Sequence, residues 1–429
     1  MAKLAIIGGG SLFVPSIVNG LGETMQRAKA VFEVELALYD VERARAERMR
    51  AYAELVARAS AVPLTASVAA TRAAALEGAD MVLASVWLRE EHARLDRLTA
   101  ALGLELPEEG PGLAGWAAAC APWSLALAAE MRARCPDALF VTLMNPTDVI
   151  AGAVAEAGGL RAVGLCVEVD GLRGALAYYF DIPDERITLV HAGVNHDGWL
   201  LRLLVDGEDC TAPLLARWDE AERDPDFHPG NLGIRPILDL TGHLRSSAYH
   251  HWPYRPEPPP DREARWRRWA GKRERCEAAL AEAVDRGQPI ADPPHIHPER
   301  SRMQYPHTGQ TLGRLMESLI AGAPHVLPLQ VPNHGAIANF PAQAVVEVPT
   351  LVQGRAIRPL AVGELPDWLG GYTRLLAVQR RLVIEYLCQP RLETLKRALA
   401  VLPMFGTPEG LNRYAEALHH EFGPDLGAE

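Results

Sequence analysis

The sequence has little of what would place it in several large classes. Its six cysteines, Cys120, Cys135, Cys166, Cys210, Cys276 and Cys388, are scattered and form no CxxC pair, which argues against a disulfide framework. Basic residues are in deficit. With 43 Lys and Arg against 54 Asp and Glu, the formal net charge is −11, the opposite of the surface a sequence-independent nucleic-acid binder needs. No uninterrupted apolar stretch is long enough to span a bilayer. The first strand pattern begins within a few residues of Met1, which leaves no space for an N-terminal signal. Repeats and low-complexity tails are also missing. The expectation is a soluble, cytoplasmic protein with neither a nucleic-acid nor a membrane partner. At 429 residues, 48% hydrophobic and 23% charged, the chain is ordinary globular material. It is long enough for two domains or one large two-part fold.

The opening stretch carries the first positive signal. A short apolar run, Leu4-Ala5-Ile6-Ile7, passes directly into Gly8-Gly9-Gly10-Ser11. A buried parallel strand, a glycine turn and then a helix is how a doubly wound sheet starts. Its glycines let the backbone approach a pyrophosphate, and the helix N-terminus behind them supplies N–H groups and a favourable dipole. Gly8, Gly9, Gly10, Ser11 and Leu12 are therefore candidate dinucleotide-binding residues, although Phe13 stands where GxGxxG has its third glycine. The next apolar run, Val34 to Tyr39, ends in Asp40, about where an acidic side chain accepts bonds from an adenosine ribose. Alternating strand and helix patterns continue through residues 80–86, 138–144 and 162–166, as expected of βαβ units. Residues 103–115, rich in Gly and Pro, read as a loop, with a helix over 123–134. The expected fold class is α/β: a Rossmann-like doubly wound parallel sheet over residues 1–195, followed by an α+β domain over 196–429 for substrate binding and dimerisation.

Polar residues at strand ends are the candidates for chemistry. Trp87 and Arg89 follow one strand and should face the crevice, and Asn145, held by Pro146, follows another. Cys166 and His196 each follow a short apolar run and are expected at one edge of the sheet. A thiolate and an imidazole with positions left open suit a divalent transition metal that also holds substrate oxygens. On spacing alone, however, the two residues read first as a buried thiol and an imidazole bonded to the backbone. Tyr249, Tyr254, His250 and His251 form a cluster of possible proton carriers, or of packing aromatics beside prolines. His295 and His297 make a further conceivable ligand pair.

Taken in order, Ile6-Ile7-Gly8-Gly9-Gly10-Ser11, Leu38-Tyr39-Asp40, Asn145-Pro146, Gly164-Leu165-Cys166, Asn195-His196, the run Val331 to Pro341 and Val346-Glu347-Val348-Pro349 resemble glycoside hydrolase family four. These are NAD- and metal-dependent glycosidases related to lactate and malate dehydrogenases, and an exception to two-carboxylate glycoside hydrolysis. The resemblance runs from Lys3 to about Leu402. It implies oxidation of the sugar at C3 by NAD, loss of the acidified C2 proton, elimination of the C1 oxygen, addition of water and return of the hydride to C3. It also implies Mn2+ or another divalent cation on Cys166 and His196, and sugar contacts from Asn145, Asn195 and Arg89. Tyr249, or Tyr254 if the alignment shifts, would be the C2 base. The chain departs from the family at Val167, since members commonly place Asp or Asn after the cysteine. Glu109, Glu168 or Asp197 would then protonate the leaving group, with Glu168 the primary candidate, or else only good leaving groups would react. Implied partners are a small glycoside, with or without a 6-phosphate, and a second or further copy of the chain as homodimer or homotetramer. A net sugar or hydroxy-acid dehydrogenase and a non-catalytic sugar and NAD sensor are the alternatives.

Overall fold

The computed structural model describes residues 1–29, 32–104, 106, 110–183, 186–217, 235–245, 262–290, 306–402 and 405–426. In chain order the elements are β1 Ala2–Ile7, α1 Val14–Arg27, β2 Val34–Tyr39, α2 Arg43–Ser60, β3 Leu64–Val68, α3 Arg72–Leu76, β4 Met81–Ala84, α4 Arg89–Ala101, α5 Pro111–Arg134, β5 Leu139–Thr142, α6 Thr147–Glu156, β6 Arg161–Gly164 and α7 Val167–Phe180. They continue with β7 Ile187–Val194, β8 Asp197–Val205, β9 Glu208–Asp209, α8 Thr211–Ala216, α9 Arg235–Thr241, α10 Arg262–Arg286, α11 Pro306–Ala321, β10 His325–Pro332, β11 Val345–Gln353, β12 Ala356–Pro359, α12 Asp367–Cys388, α13 Leu392–Ala400 and α14 Pro408–Leu426.

The strands build one sheet in the order β3-β2-β1-β4-β5-β6-β10-β11-β7-β8-β9, with β12 added to β11. The first six are parallel and have the strand order of a doubly wound nucleotide fold. Strand β1 is covered on both faces: Leu4 and Ile6 enter one hydrophobic core, Ala5 and Ile7 the other. That two-sided burial is why the run is apolar at every position rather than at alternate ones. From β6 onward the pairing is antiparallel. Strands β10 and β11, from the last third of the sequence, are inserted between β6 and β7.

Two helices meet closely where the C-terminal part lies on the nucleotide fold. A Cβ on Gly309 of α11 would sit 1.9 Å from the Ser16 carbonyl oxygen of α1, and one on Gly20 would sit 2.1 Å from Gly309 C. Glycines on both sides permit this backbone-to-backbone packing.

One expectation is corrected. The helix read over 123–134 begins twelve residues earlier, at Pro111, so the loop ends at Gly110, whose φ is +71. Proline fits the first turn of a helix because its missing N–H would be unsatisfied there anyway. Here Gly-Pro-Gly starts a helix rather than prolonging a loop. Helix α5 is also long and apolar enough by composition to cross a bilayer over Gly112–Arg134, and 72% of that window is buried within the fold. Its residues Leu113, Ala117, Ala121, Leu127 and Met131 belong to the core shared with α12 and α14.

Candidate active site

Cys166 stands just beyond β6 and just before α7, and Glu168 occupies the first turn of that helix. Free N–H groups at a helix start favour anionic side chains there. His196 arrives from another direction. It is the second residue of a two-residue turn, with Val194 of β7 paired to Asp197 of β8, and its φ of +61 lies in the left-handed region. One ligand atom from each of Cys166, Glu168 and His196 lies within 4.8 Å of the other two, and all three residues are buried. His196 Nε2 is 3.7 Å from Glu168 Oε1. Thiolate, carboxylate and imidazole together form a donor set fit for a divalent transition metal. Burial pushes the Cys166 thiol up to about 12, with the His196 imidazole pulling it down. A cation would therefore displace a proton from sulfur as it binds.

The turn bearing His196 is pinned by buried polar contacts. Gln330 of β10 donates from Nε2 to Asn195 Oδ1 at 2.9 Å and accepts from Thr147 Oγ1 at 2.6 Å. It joins the start of α6 to the turn. Arg380 of α12 donates to Asp148 Oδ2 at 2.6 Å and to the Asn195 carbonyl at 2.8 Å. Arg380, Asp148 and Asn195 are all fully buried. Asn195 Nδ2 finds no hydrogen-bond partner among the described residues. It is a donor available to a ligand.

Sequence reasoning assigned no site role to Glu347, Gln330, Asp148 or Arg380. Glu347 lies on β11 opposite Gly193 of β7, fully buried, and its carboxyl oxygens find no partner among the described residues. Burial, reinforced by the nearby charge of Glu168, raises its pKa well above the ordinary carboxylate value. The available signal was an acid inside the apolar run Val346-Glu347-Val348. A charge in a strand covered on both faces needs a reason.

His191 of β7 is another buried titratable group. Burial lowers its pKa from 6.5 to about 4, so it stays neutral in the folded chain. The unfolded chain binds a proton below 6.5, and this contribution to stability is lost as pH falls from 6.5 through 4. The loss should reach about 3 kcal/mol. Urea unfolding at pH 7 and pH 4 should show that difference between wild type and His191→Gln, and equal pH dependence in both chains would refute it.

On the cofactor side, the Gly8–Ser11 turn lies where β1 ends. Gly8 has φ +90, and a Cβ there would lie 2.2 Å from the Ser85 carbonyl oxygen at the end of β4. Asp40 accepts from the Gly10 N–H at 2.9 Å and the Glu42 N–H at 2.8 Å, while Ser85 Oγ donates to Ser11 Oγ at 2.8 Å. Among the described residues no side chain caps α1, and a helix start of this kind favours a phosphate. Leu12 sits between this turn and α1, half-buried. Strands β1 and β6 are three places apart in the sheet, about 14 Å. The glycine turn, Asn145 after β5 and Cys166 after β6 thus share one edge, with room between them for an extended dinucleotide.

The remaining candidates are placed unevenly. Arg89 is the exposed first residue of α4. Trp87, beside it, is exposed and its ring lies 4.4 Å from that of His92, which is itself 4.4 Å from Trp116. Asp197 is engaged by Arg245 and by Thr373 Oγ1. Tyr249, Tyr254, His250, His251, Glu109, His295 and His297 lie outside the described residues.

Residues 3–182 match the family described as family 4 glycosyl hydrolase, and residues 191–404 match its C-terminal domain. The chain belongs to the family 4 glycosyl hydrolases. It is accordingly an enzyme that hydrolyses glycosides, and the dehydrogenase and sensor alternatives are not favoured. Among family 4 relatives, a probable 6-phospho-beta-glucosidase of Bacillus subtilis is 24% identical over 425 residues, covering 94% of this chain and 92% of that protein. A 6-phospho-alpha-glucosidase from gut microorganisms, solved with NAD and glucose-6-phosphate, has a TM-score of 0.75 at 20% identity, covering 99% of each chain. The 6-phospho-beta glucosidase of Thermotoga maritima, solved with manganese, NAD+ and glucose-6-phosphate, has a TM-score of 0.72 at 17% identity over 98% of each chain.

Proposed function

We propose that this family 4 enzyme is an NAD- and divalent-cation-dependent glycosidase, acting on a small glycoside by C3 oxidation, C1–C2 elimination, addition of water and re-reduction. One observation carries the reading. The Cys166 thiol and His196 imidazole converge in a buried cluster at the sheet edge that also bears the glycine turn. When bound, the nicotinamide supplies a reversible hydride acceptor, and the cation, Mn2+ or a similar ion, polarises the sugar oxygens at C2 and C3.

The chain's own residues do the rest. Gly8, Gly9, Gly10, Ser11 and Leu12 receive the pyrophosphate, and Asp40 still has lone pairs for a ribose hydroxyl beyond its two backbone bonds. Cys166 and His196 hold the cation. Asn145 faces cofactor and sugar, the buried amide of Asn195 donates to a sugar hydroxyl, and Arg89 binds the sugar's outer rim. Tyr249 takes the C2 proton, and Glu168 gives a proton to the departing C1 oxygen. Residues 1–195 carry the cofactor and residues 196–429 close the sugar pocket. The exposed Trp368 and Leu375 on α12, with Leu240 on α9, support a homodimer or homotetramer. The acidic net charge supports a protein without a nucleic-acid partner, and the scattered cysteines support a cytoplasmic one without a disulfide framework.

The test is turnover in deuterated water. With NAD, manganese and a thiol reductant, an aryl glycoside should yield product deuterated at C2 and no net NADH. Accumulating NADH, or product without deuterium, would overturn the reading. Running the panel with and without a 6-phosphate reads out the substrate class, for which the relatives' 6-phosphoglucosides are the leading candidates.

A further inference from the structure

The geometry points to Glu168 as a third protein ligand of the cation in the sugar-free enzyme, giving this chain a cysteine–carboxylate–histidine centre. The inference rests on the metal-dependent reading above and deepens it. Three observations carry it.

The first is distance. The 3.7 Å between His196 Nε2 and Glu168 Oε1 exceeds a hydrogen bond. It matches two donors each about 2.1 Å from one ion, separated at the ion by roughly 120°. The Cys166 sulfur falls within the same 4.8 Å sphere.

The second is attachment. Cys166 and Glu168 flank the first residue of α7, so one rigid helix start delivers both. The pinned Asn195–His196 turn delivers the imidazole. All three come from backbone held by β6, α7, β7 and β8 rather than from a free loop.

The third is the residue between them. Val167 places no donor next to Cys166, and Glu168 is the carboxylate that converges with the thiol and imidazole among the described residues. Three protein donors, two of them anionic, leave fewer open positions than a cysteine–histidine pair. Sugar oxygens must then compete with Glu168 for the cation. In the resting site Glu168 is an anionic ligand; to protonate the leaving group it must first leave the cation and take up a proton from solvent.

Equilibrium binding of Mn2+ to the metal-stripped, NAD-saturated full chain tests this without turnover. The free aqua ion is followed by its paramagnetic resonance signal. Glu168→Gln should weaken Mn2+ binding at least about tenfold, the scale set by loss of groups that even only support a ligand. Cys166→Ser and His196→Ala should weaken it too. Circular dichroism and NAD affinity should stay at wild-type values in Glu168→Gln. Binding within twofold of wild type in Glu168→Gln, alongside loss in His196→Ala, would overturn the third ligand and leave the two-ligand reading standing. A wild-type chain that binds no Mn2+ at millimolar concentration would overturn both.

Discussion

Arg380→Ala should cost the fold about 3–5 kcal/mol. The guanidinium is fully buried and pairs with the equally buried Asp148, so truncation leaves a carboxylate without its countercharge inside the protein. An exposed pair such as Arg186–Asp206, with both side chains about half exposed, is screened by solvent and contributes far less. Against a total stability of about 5–15 kcal/mol, the buried loss is large, and urea unfolding at pH 7 reads it directly. The double variant Arg380→Met with Asp148→Asn should recover part of the loss, because the stranded charge is what costs most. The effect should extend to the site. Arg380 also donates to the Asn195 carbonyl, so Arg380→Ala should weaken Mn2+ binding as the His196 turn loosens. A single variant within about 1 kcal/mol of wild type would sink this account.

Gly8→Ala is the second large effect. At φ +90 any side chain is strained, and the added Cβ would lie 2.2 Å from a backbone oxygen, that of Ser85. Backbone strain and overpacking together amount to roughly 2–6 kcal/mol. Because Ser85 and Ser11 are hydrogen-bonded across the same gap, relief of the clash must move the turn away from β4. NAD binding should weaken at least about tenfold, a step of about 1.4 kcal/mol. Gly9→Ala is the comparison: its Cβ would lie 3.0 Å from the Leu38 Cβ and 3.3 Å from backbone atoms of β2, a far looser contact than the 2.2 Å at Gly8. Equal NAD affinities in the two variants would show that the close approach at Gly8 does not govern the cofactor turn.

The nucleotide half was legible because its signals are local. A strand buried on both faces must be apolar at each position, as Leu4-Ala5-Ile6-Ile7 is, and a turn that touches another backbone must be glycine, as Gly8 is. The start of α5 was misread because Gly-Pro-Gly serves a loop and a helix start equally well. Burial around the helix decided between them. Cys166 and His196 are expected at one edge of the sheet because each follows a short apolar run. The residues do meet, but β7 runs antiparallel to β6, with β10 and β11 between them.

The sequence by itself determined the doubly wound start, the glycine turn, Asp40 and the residue types of the Cys166–His196 pair, because each depends on chain neighbours within a few residues. Only the tertiary structure decided that strands from residues 325–353 enter the sheet between β6 and β7. It brought the His196 imidazole to Cys166 and Glu168, and it buried Glu347, Gln330 and Arg380 behind the His196 turn. Those placements depend on contacts between residues far apart in the chain, and no local pattern encodes which distant strand fills a gap in a sheet.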